Sequence, residues 1–253
     1  MGQFPQRGEI RMSKTKERRH PYRKRDNSLW WIVGVAVGAS ALLIALSSLS
    51  AGRLGRIVVP ENVRSDQERL AERNVRGRAD APVELVEYSD FRCPHCMDAA
   101  EALSAPLNDL IEAGTVRFVH KHMLVIDPQN TSLVAAQAAE CAADQGYYWA
   151  FHDTLFANFG HGPQWSRNAM QQYARELGLD TKAFNDCMNA NKYRDKVLAD
   201  SLEAYQTPGI TGTPAFLING TLFQPQRSYY DVIEAIQAAA GEASGQETSQ
   251  AGE

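Results

Sequence analysis

The feature that most constrains this chain is a pair of cysteines, Cys93 and Cys96, in the sequence Cys-Pro-His-Cys. The segment before it, Val83–Tyr88, is apolar and rich in β-branched residues, which predicts a buried strand. The segment after it carries Ala and Leu at helical spacing, which predicts a helix. Cys93 is therefore expected at a helix N-terminus, where unpaired backbone N–H groups and the helix dipole favour a thiolate.

This placement predicts redox chemistry. The thiolate is the reactive form of cysteine, so Cys93 is expected to be the nucleophile. Cys96 lies one turn later, within reach to resolve a mixed disulfide. Pro94 suits the first helical turn, where its missing N–H would be unpaired in any case. His95 is expected to add a dipole or a positive charge near the Cys93 sulfur, which stabilises the reduced form and makes the disulfide more oxidising.

Two plainer interpretations of the Cys-x-x-Cys compete with this one. It can be half of a zinc site, but a structural zinc site needs four ligands. The remaining cysteines, Cys141 and Cys187, are far apart in the sequence and do not form a second Cys-x-x-Cys. It can also be an inert local disulfide, although the position between a strand and a helix argues against that. The pattern therefore favours a redox centre.

The order of the other elements indicates the fold. A second strand is predicted at Val116–His122, followed by a helical stretch over about residues 131–205. A third strand, Ala215–Ile218, runs into the hairpin turn signal Asn219-Gly220. A last helix opens near Ser228. This order predicts an α/β, thioredoxin-like fold with an α-helical domain inserted at about residues 129–206.

Three separated segments resemble the DsbA-like thiol–disulfide oxidoreductases. They are D-A-P-V-E-L-V-E-Y-S-D-F-R-C-P-H-C at 80–96, A-E-C-A-A-D-Q-G-Y-Y-W-A-F-H-D-T-L-F in the helical stretch, and G-I-T-G-T-P-A-F-L-I-N-G near the end. The resemblance covers about residues 78–240, and the three motifs occur in the family's order. It implies a thioredoxin fold with inserted helices and a redox-active disulfide between Cys93 and Cys96.

The resemblance also implies roles for individual residues. Pro214 matches the family's cis-proline beside the active-site sulfurs, and the backbone of Thr213 would then pair with a client peptide. Glu87 matches a buried acid that relays protons to Cys96; the alternative is a solvent-facing strand carboxylate. Thr213 departs from the best-known strong oxidases, which carry an apolar residue there, and is similar to isomerase- or reductase-type relatives.

The remaining candidate residues are cysteines, histidines and aromatics. Four cysteines in an exported domain suggest two disulfides, with three possible pairings. If Cys93–Cys96 is one, Cys141–Cys187 is a structural second, clipping two helices together; the alternative is a second redox relay. His120 and His122 share a strand face and are expected to be solvated histidines and not a metal site. The aromatics at 147–156 are expected to be mostly core, with some lining an apolar groove for unfolded clients.

The N-terminal region predicts a membrane anchor. Residues 1–28 form a basic tail with nine Lys/Arg against three Asp/Glu, which is not the folded basic face of a nucleic-acid binder. Residues 29–49 are uncharged and, at 21 residues, long enough to span a bilayer. The basic flank places the tail in the cytoplasm and the rest outside. A cleaved signal peptide is the alternative, and it would export the chain equally.

These observations give one functional expectation with alternatives. The domain at 80–241 follows a linker at 50–79 and precedes a disordered tail at 242–253. It is expected to be a periplasmic dithiol oxidase of a bacterial cell membrane, acting on reduced or unfolded exported proteins and recycled by a membrane redox partner. No cofactor, resident metal or nucleic acid is expected. An isomerase or reductase of the same fold is the nearest alternative, and a copper-binding module using the two cysteines is the alternative from another class.

Overall fold

The computed structural model describes residues 35–40, 57–60, 71–126, 130–161 and 165–250, with only the backbone described for 244–250. The chain divides into two units, residues 1–50 and residues 51–253. In the first unit residues 35–40 are helical. Within the described ranges, no helix is both long enough and apolar enough to cross a membrane. Most of the predicted anchor at 29–49 lies outside those ranges.

The described part of the second unit is built on one six-stranded sheet with the order β1-β2-β4-β3-β5-β6. Its strands are β1 (Ala71–Glu72), β2 (Val75–Arg76), β3 (Val83–Ser89), β4 (Val116–His122), β5 (Ala215–Ile218) and β6 (Thr221–Phe223). The central pair β3 and β4 is parallel, while β5 runs antiparallel to β3. The predicted strands match β3, β4 and β5 closely because each is a short segment with apolar residues that line a buried face.

Helix α1 (Pro94–Glu112) connects the two parallel strands and covers one face of the sheet. Its apolar stripe, which includes Leu103, Leu107 and Ile111, packs into the main core with Leu85 and Phe118. This strand–helix–strand crossover fixes the N-terminus of α1 at the end of β3. The end of β3 is therefore where the sheet, the helix and the Cys-x-x-Cys meet.

Among the described residues between β4 and β5, five helices form the insert: α2 (Thr131–Ala143), α3 (Tyr148–Ala157), α4 (Arg167–Glu176), α5 (Thr181–Asn189) and α6 (Arg194–Gln206). These bounds agree with the inserted helical domain predicted from the sequence. Gly146 and Gly178 follow α2 and α4 with φ values of 73° and 76°, a left-handed conformation that ends a helix at little cost in glycine. The thioredoxin-like fold with a helical insertion is confirmed.

The sequence analysis predicts a linker at 50–79, but the described residues of that segment, 57–60 and 71–79, belong to the folded domain. Strands β1 and β2 belong to the sheet, where Val75 is paired with Val119 at the edge of β4. Ile57 is buried, and both backbone polar groups of Val58 are hydrogen-bonded to the side chain of Asn158. Two-residue strands are too short to show a periodic pattern, so they cannot be predicted from sequence periodicity.

The final helix α7 (Tyr230–Gln250) extends through most of the segment 242–253 that composition predicts to be disordered. Its start is fixed by Asp231, whose carboxylate accepts hydrogen bonds from the backbone N–H groups of Gln226 and Arg227. The segment beyond Gly241 contains no proline and several good helix formers, so its polarity does not prevent it from continuing an existing helix.

Candidate active site

Cys93 is the N-cap residue of α1, and Pro94 occupies the first helical position. Both Cys93 and Cys96 are buried free thiols, so the structure describes the reduced form of the pair. The main chain is held in a tight turn, in which Cys93 N–H donates to the Asp90 carbonyl at 2.9 Å. Cys96 N–H and Met97 N–H both donate to the Cys93 carbonyl, at 3.1 and 3.2 Å. The strand-to-helix turn therefore carries both sulfurs on a rigid backbone.

The Cys93 sulfur is surrounded by donors. A hydrogen bond from the Cys96 thiol lowers the pKa of Cys93 most, followed by the Thr213 side chain and the backbone N–H groups of Cys96 and His95. Together they outweigh burial and lower the pKa of Cys93 from its ordinary 9.0 to about 5. Cys93 is then mainly the reactive thiolate at pH 7.

Cys96 has the opposite electrostatic environment. Its side chain lies deeper, so burial raises the pKa of the Cys96 thiol, and the adjacent Cys93 thiolate and Glu87 raise it further. The backbone N–H of Asp90 donates to the Cys96 sulfur at 3.5 Å and partly opposes that shift. The two cysteines therefore differ in role: Cys93 is charged at neutral pH, and Cys96 keeps its proton until it reacts.

Thr213 and Pro214 face the nucleophile from the loop before β5. The peptide bond between them is cis. The Cys93 sulfur lies 3.5 Å from the Thr213 carbonyl oxygen. This brings together the Cys-x-x-Cys and the Thr-Pro pair, which are 120 residues apart in the sequence.

Glu87 lies on the face of β3 that is covered by α1 and is almost fully buried. Burial raises its pKa to about 7, opposed by a hydrogen bond from Ser89 and reinforced by the negative charge of Cys93. A cavity of about 30 Å³ borders Glu87, Ser104 and Asp153. A carboxyl group with a pKa near 7 can both accept and return a proton at neutral pH, so Glu87 has the properties of a proton acceptor for Cys96.

His95 has a smaller part than the sequence predicts. Its ring is 73% exposed, and Nδ1 lies 3.9 Å from Asp98 Oδ2. His95 lowers the pKa of Cys93 through a hydrogen bond from its backbone N–H. The side chain at this position turns outward because α1 begins at Pro94 and directs position 95 to solvent.

Residues 70–238 match the family model described as Thioredoxin. The chain belongs to the Thioredoxin family. The match covers both cysteines, the insert and the Thr213–Pro214 loop, so the site just described lies entirely within the family domain.

Solved structures of the same fold include DsbA-type proteins. Alpha-DsbA1 from Wolbachia pipientis is 23% identical, with a TM-score of 0.60 over 68% of this chain and 93% of that one. A thioredoxin-like oxidoreductase from Silicibacter pomeroyi is 30% identical, with a TM-score of 0.54 over 65% of this chain and 90% of that one. The predicted resemblance to DsbA-like proteins is confirmed for the fold, and the family match together with the neighbour from Silicibacter pomeroyi supports an oxidoreductase.

Curated relatives carry the name of a longer protein. A stretch of 166 residues is 35% identical to the Na(+)/H(+) antiporter NhaA 3 of Salinispora tropica, covering 66% of this chain and 24% of the relative. The chain thus spans about a quarter of the length of such relatives. The matched length is close to that of the thioredoxin-like domain, so the antiporter name describes the longer protein.

The prediction that His120 and His122 are solvated is wrong, because both side chains are buried. The helical insert covers their strand face: His120 Nδ1 lies 2.8 Å from the Tyr148 hydroxyl, and His122 Nε2 lies 3.2 Å from Glu140 Oε1. Phe91 stacks on His120 at 5.4 Å between ring centroids. Strand alternation alone does not show which face a distant insert will cover.

One group of metal-ligand type occurs among the described residues: His122, Glu140 and Asp200. Lys196 already lies between its two carboxylates, with Nζ 2.9 Å from Glu140 and 2.7 Å from Asp200. An ammonium group thus neutralises the charge that a metal ion would neutralise. This group contains neither active-site cysteine, so it does not favour the copper-binding alternative.

Cys141 and Cys187 form a disulfide that joins α2 to α5, with 5.9 Å between their Cα atoms. It lies in the core with Phe151 and Phe184, whose rings stack at 5.7 Å. The buried environment fits a structural crosslink between two helices of the insert. The aromatic residues of α3 are core as expected, and Phe156 also borders a surface groove of about 440 Å³ beside Met97.

The depressed pKa of Cys93 predicts a pH-dependent stability difference between the two redox forms. The pKa of Cys93 is about 5 in the folded protein and 9.0 in the unfolded chain. Its ionisation therefore stabilises the folded reduced protein fully above pH 9, and this stabilisation is lost as the pH falls through 5. The oxidised pair has no such contribution. The melting temperature of the reduced form should therefore rise relative to that of the oxidised form from pH 5 towards pH 9, as thermal unfolding followed by circular dichroism would show. A difference between the two forms that does not change with pH would contradict the thiolate assignment.

Proposed function

We propose that this protein is a dithiol oxidase that introduces disulfides into exported proteins. The observation that carries the proposal is the position of the Cys93 sulfur at the N-terminus of α1, where the Cys96 thiol and the backbone N–H groups of Cys96 and His95 stabilise its thiolate. Stabilising the thiolate favours the reduced enzyme, so the disulfide form tends to take electrons from its clients.

The proposed reaction begins with the oxidised enzyme. A client thiolate attacks the Cys93 sulfur, the Cys93–Cys96 bond breaks, and Cys96 leaves as a thiolate that takes a proton from Glu87. A second client thiolate then attacks the client sulfur of the mixed disulfide and releases Cys93 as a thiolate. The client gains one disulfide, and the enzyme gains the two electrons. The low pKa of Cys93 makes it a good leaving group in the second step.

Client proteins would bind on the surface that surrounds Cys93. By resemblance to the family, the Thr213 backbone pairs with an extended client segment next to the attacked sulfur. The groove lined by Met97 and Phe156 lies beside α1 and offers an apolar surface for unfolded chain. A membrane redox partner would return the enzyme to its disulfide form, and residues 29–49 would hold the domain outside the cytoplasm.

An isomerase or reductase is the second candidate, and Thr213 is the residue that favours it. Both activities use a Cys93 thiolate, but an isomerase must attack disulfides that are already formed. The distinguishing experiment compares the full-length oxidised protein on a reduced, unfolded test protein with the reduced protein on a scrambled one. The oxidase proposal expects fast disulfide formation and little reshuffling; fast reshuffling with slow formation would instead establish the isomerase.

The variant Glu87→Gln tests whether Glu87 accepts the proton of Cys96. Glutamine cannot take up a proton, so attack by Cys96 on the mixed disulfide should slow by about 100-fold, the usual scale for general base catalysis. In the wild type this rate should rise with pH through about 7, where Glu87 loses its proton, and the variant should lack that inflection. Stopped-flow measurement of the rate against pH decides the point. An unchanged profile would exclude Glu87 from the proton transfer.

A further inference from the structure

A buried carboxylate next to the redox pair, Asp90, has no role in the chemistry described so far. It lies three residues before Cys93, in the turn between β3 and α1, and is 2% exposed. Its side chain accepts four hydrogen bonds. Oδ1 accepts from Arg92 N–H at 2.9 Å. Oδ2 accepts from Val125 N–H and Ile126 N–H, both at 2.9 Å, and from the Ser132 hydroxyl at 3.0 Å.

The donors come from two parts of the fold. Arg92 belongs to the active-site turn, whereas Val125 and Ile126 belong to the loop after β4, and Ser132 lies in the first turn of α2. Asp90 therefore fastens the turn that carries the cysteines to the start of the helical insert. Four donors around one buried carboxylate are charge-assisted hydrogen bonds, which are stronger than neutral ones and hold their geometry closely.

The main chain of Asp90 contacts both cysteines. Its carbonyl accepts from Cys93 N–H at 2.9 Å, and its N–H donates to the Cys96 sulfur at 3.5 Å. The side-chain bonds fix the backbone conformation at Asp90, and its N–H orients the Cys96 sulfur. By contrast, the donors that stabilise the Cys93 thiolate are Cys96, Thr213 and the backbone of His95. Asp90 is thus connected to Cys96 more directly than to the reactivity of Cys93.

We propose that Asp90 is a positioning residue for the resolving cysteine: it holds the Cys96 sulfur in line with Cys93 and couples that alignment to the helical insert. The step it serves is attack by the Cys96 thiolate on the Cys93 sulfur of a mixed disulfide. In that step the Cys93–Cys96 bond forms, the bond from Cys93 to the client sulfur breaks, the client leaves as a thiolate, and the Cys96 proton passes to Glu87. This inference rests on the proposed thiol–disulfide exchange.

Asp90→Asn is the sharpest variant because it is nearly isosteric. An amide offers one acceptor oxygen in place of two. If that oxygen keeps the three donors on Oδ2, the amide N–H₂ faces the N–H of Arg92, and a hydrogen bond becomes a repulsive contact. The active-site turn must then shift. A misplacement of about 1 Å can slow a reaction by about 100-fold, so we expect resolution to slow by at least about tenfold.

The two steps can be followed separately in the full-length reduced protein with 5,5′-dithiobis(2-nitrobenzoate). Attack by Cys93 releases the first thionitrobenzoate, and attack by Cys96 on the resulting mixed disulfide releases the second. Above pH 7, where Cys93 stays ionised, the first release of Asp90→Asn should change much less than the second, which slows by at least about tenfold and keeps its inflection near pH 7. A purely structural effect would change both releases by the same factor or change neither.

Two further variants keep the test decisive. Ser132→Ala removes the hydroxyl that lies within hydrogen-bond distance of both Asp90 Oδ2 and the Ile126 carbonyl oxygen. It should slow mainly the second release, by less than Asp90→Asn, and it is the test variant if Asp90→Asn does not fold. Asp180→Ala removes a carboxylate that accepts backbone N–H groups at the start of α5; it should lower the melting temperature without altering either release. Equal slowing of both releases, or no slowing, in Asp90→Asn and Ser132→Ala would overturn the inference. A wild-type protein that releases no thionitrobenzoate would overturn the proposed function instead.

Discussion

Replacing Cys96 by alanine is expected to trap mixed disulfides between Cys93 and client proteins. Cys93 keeps its helix N-terminus and Thr213 and so still attacks disulfides, but no second sulfur remains to release the adduct. Turnover should fall by at least about 1,000-fold, the scale seen when a residue that forms or resolves a covalent intermediate is removed. Alkylation of cells followed by non-reducing electrophoresis would show the adducts.

The matched control is Cys93→Ser, which leaves Cys96 in place. The Cys96 sulfur is buried and the pKa of its thiol is raised, so the Cys93→Ser variant should form no adducts. Adducts that appear in Cys93→Ser and not in Cys96→Ala would reverse the roles of the two cysteines. The absence of adducts from both variants would count against thiol–disulfide exchange with proteins.

Removing the second disulfide by Cys141→Ala with Cys187→Ala should lower the free energy of unfolding by about 4 kcal/mol. The bond closes a loop of 46 residues between α2 and α5, and the chain-entropy model gives this value for such a loop. Urea unfolding of the wild type and the double variant, both with Cys93 and Cys96 reduced, measures the difference. A loss below about 1 kcal/mol would mean that the insert is held together without the crosslink.

The double variant Cys141→Ala with Cys187→Ala also shows whether the Cys141–Cys187 disulfide is structural or takes part in electron transfer. Under conditions where the double variant remains folded, its rate of client oxidation should equal that of the wild type, because the Cys93 turn is held by β3, α1 and Thr213. A rate that falls while the circular dichroism spectrum is unchanged would instead assign Cys141 and Cys187 to electron transfer.

The elements around the redox pair could be predicted from sequence because their signals are local. Val83–Ser89 and Val116–His122 are short segments with apolar residues that line a buried face, and Pro94 marks the start of a helix. Short-range chemistry therefore placed Cys93 at a helix N-terminus. The link to Thr213, 120 residues away, came from family resemblance, since spacing along a chain carries no distance information over such a separation.

The features that sequence reasoning missed depend on contacts between distant segments. Asp90 looks like an ordinary turn residue, and only the approach of the loop at Val125 and of Ser132 reveals a buried carboxylate with four donors. His120 was expected at the surface, but the insert brings Tyr148 over it. A pattern of alternation identifies two faces of a strand, whereas tertiary packing decides whether both are covered.

The most direct test of the oxidase proposal is the reduction potential of the Cys93–Cys96 pair in the full-length protein, measured by equilibration with glutathione buffers. The stabilised Cys93 thiolate and the oxidase proposal predict a value between about −200 and −120 mV, well above the roughly −270 mV of thioredoxin. A value below about −200 mV would contradict the oxidase proposal and favour a reductase or isomerase.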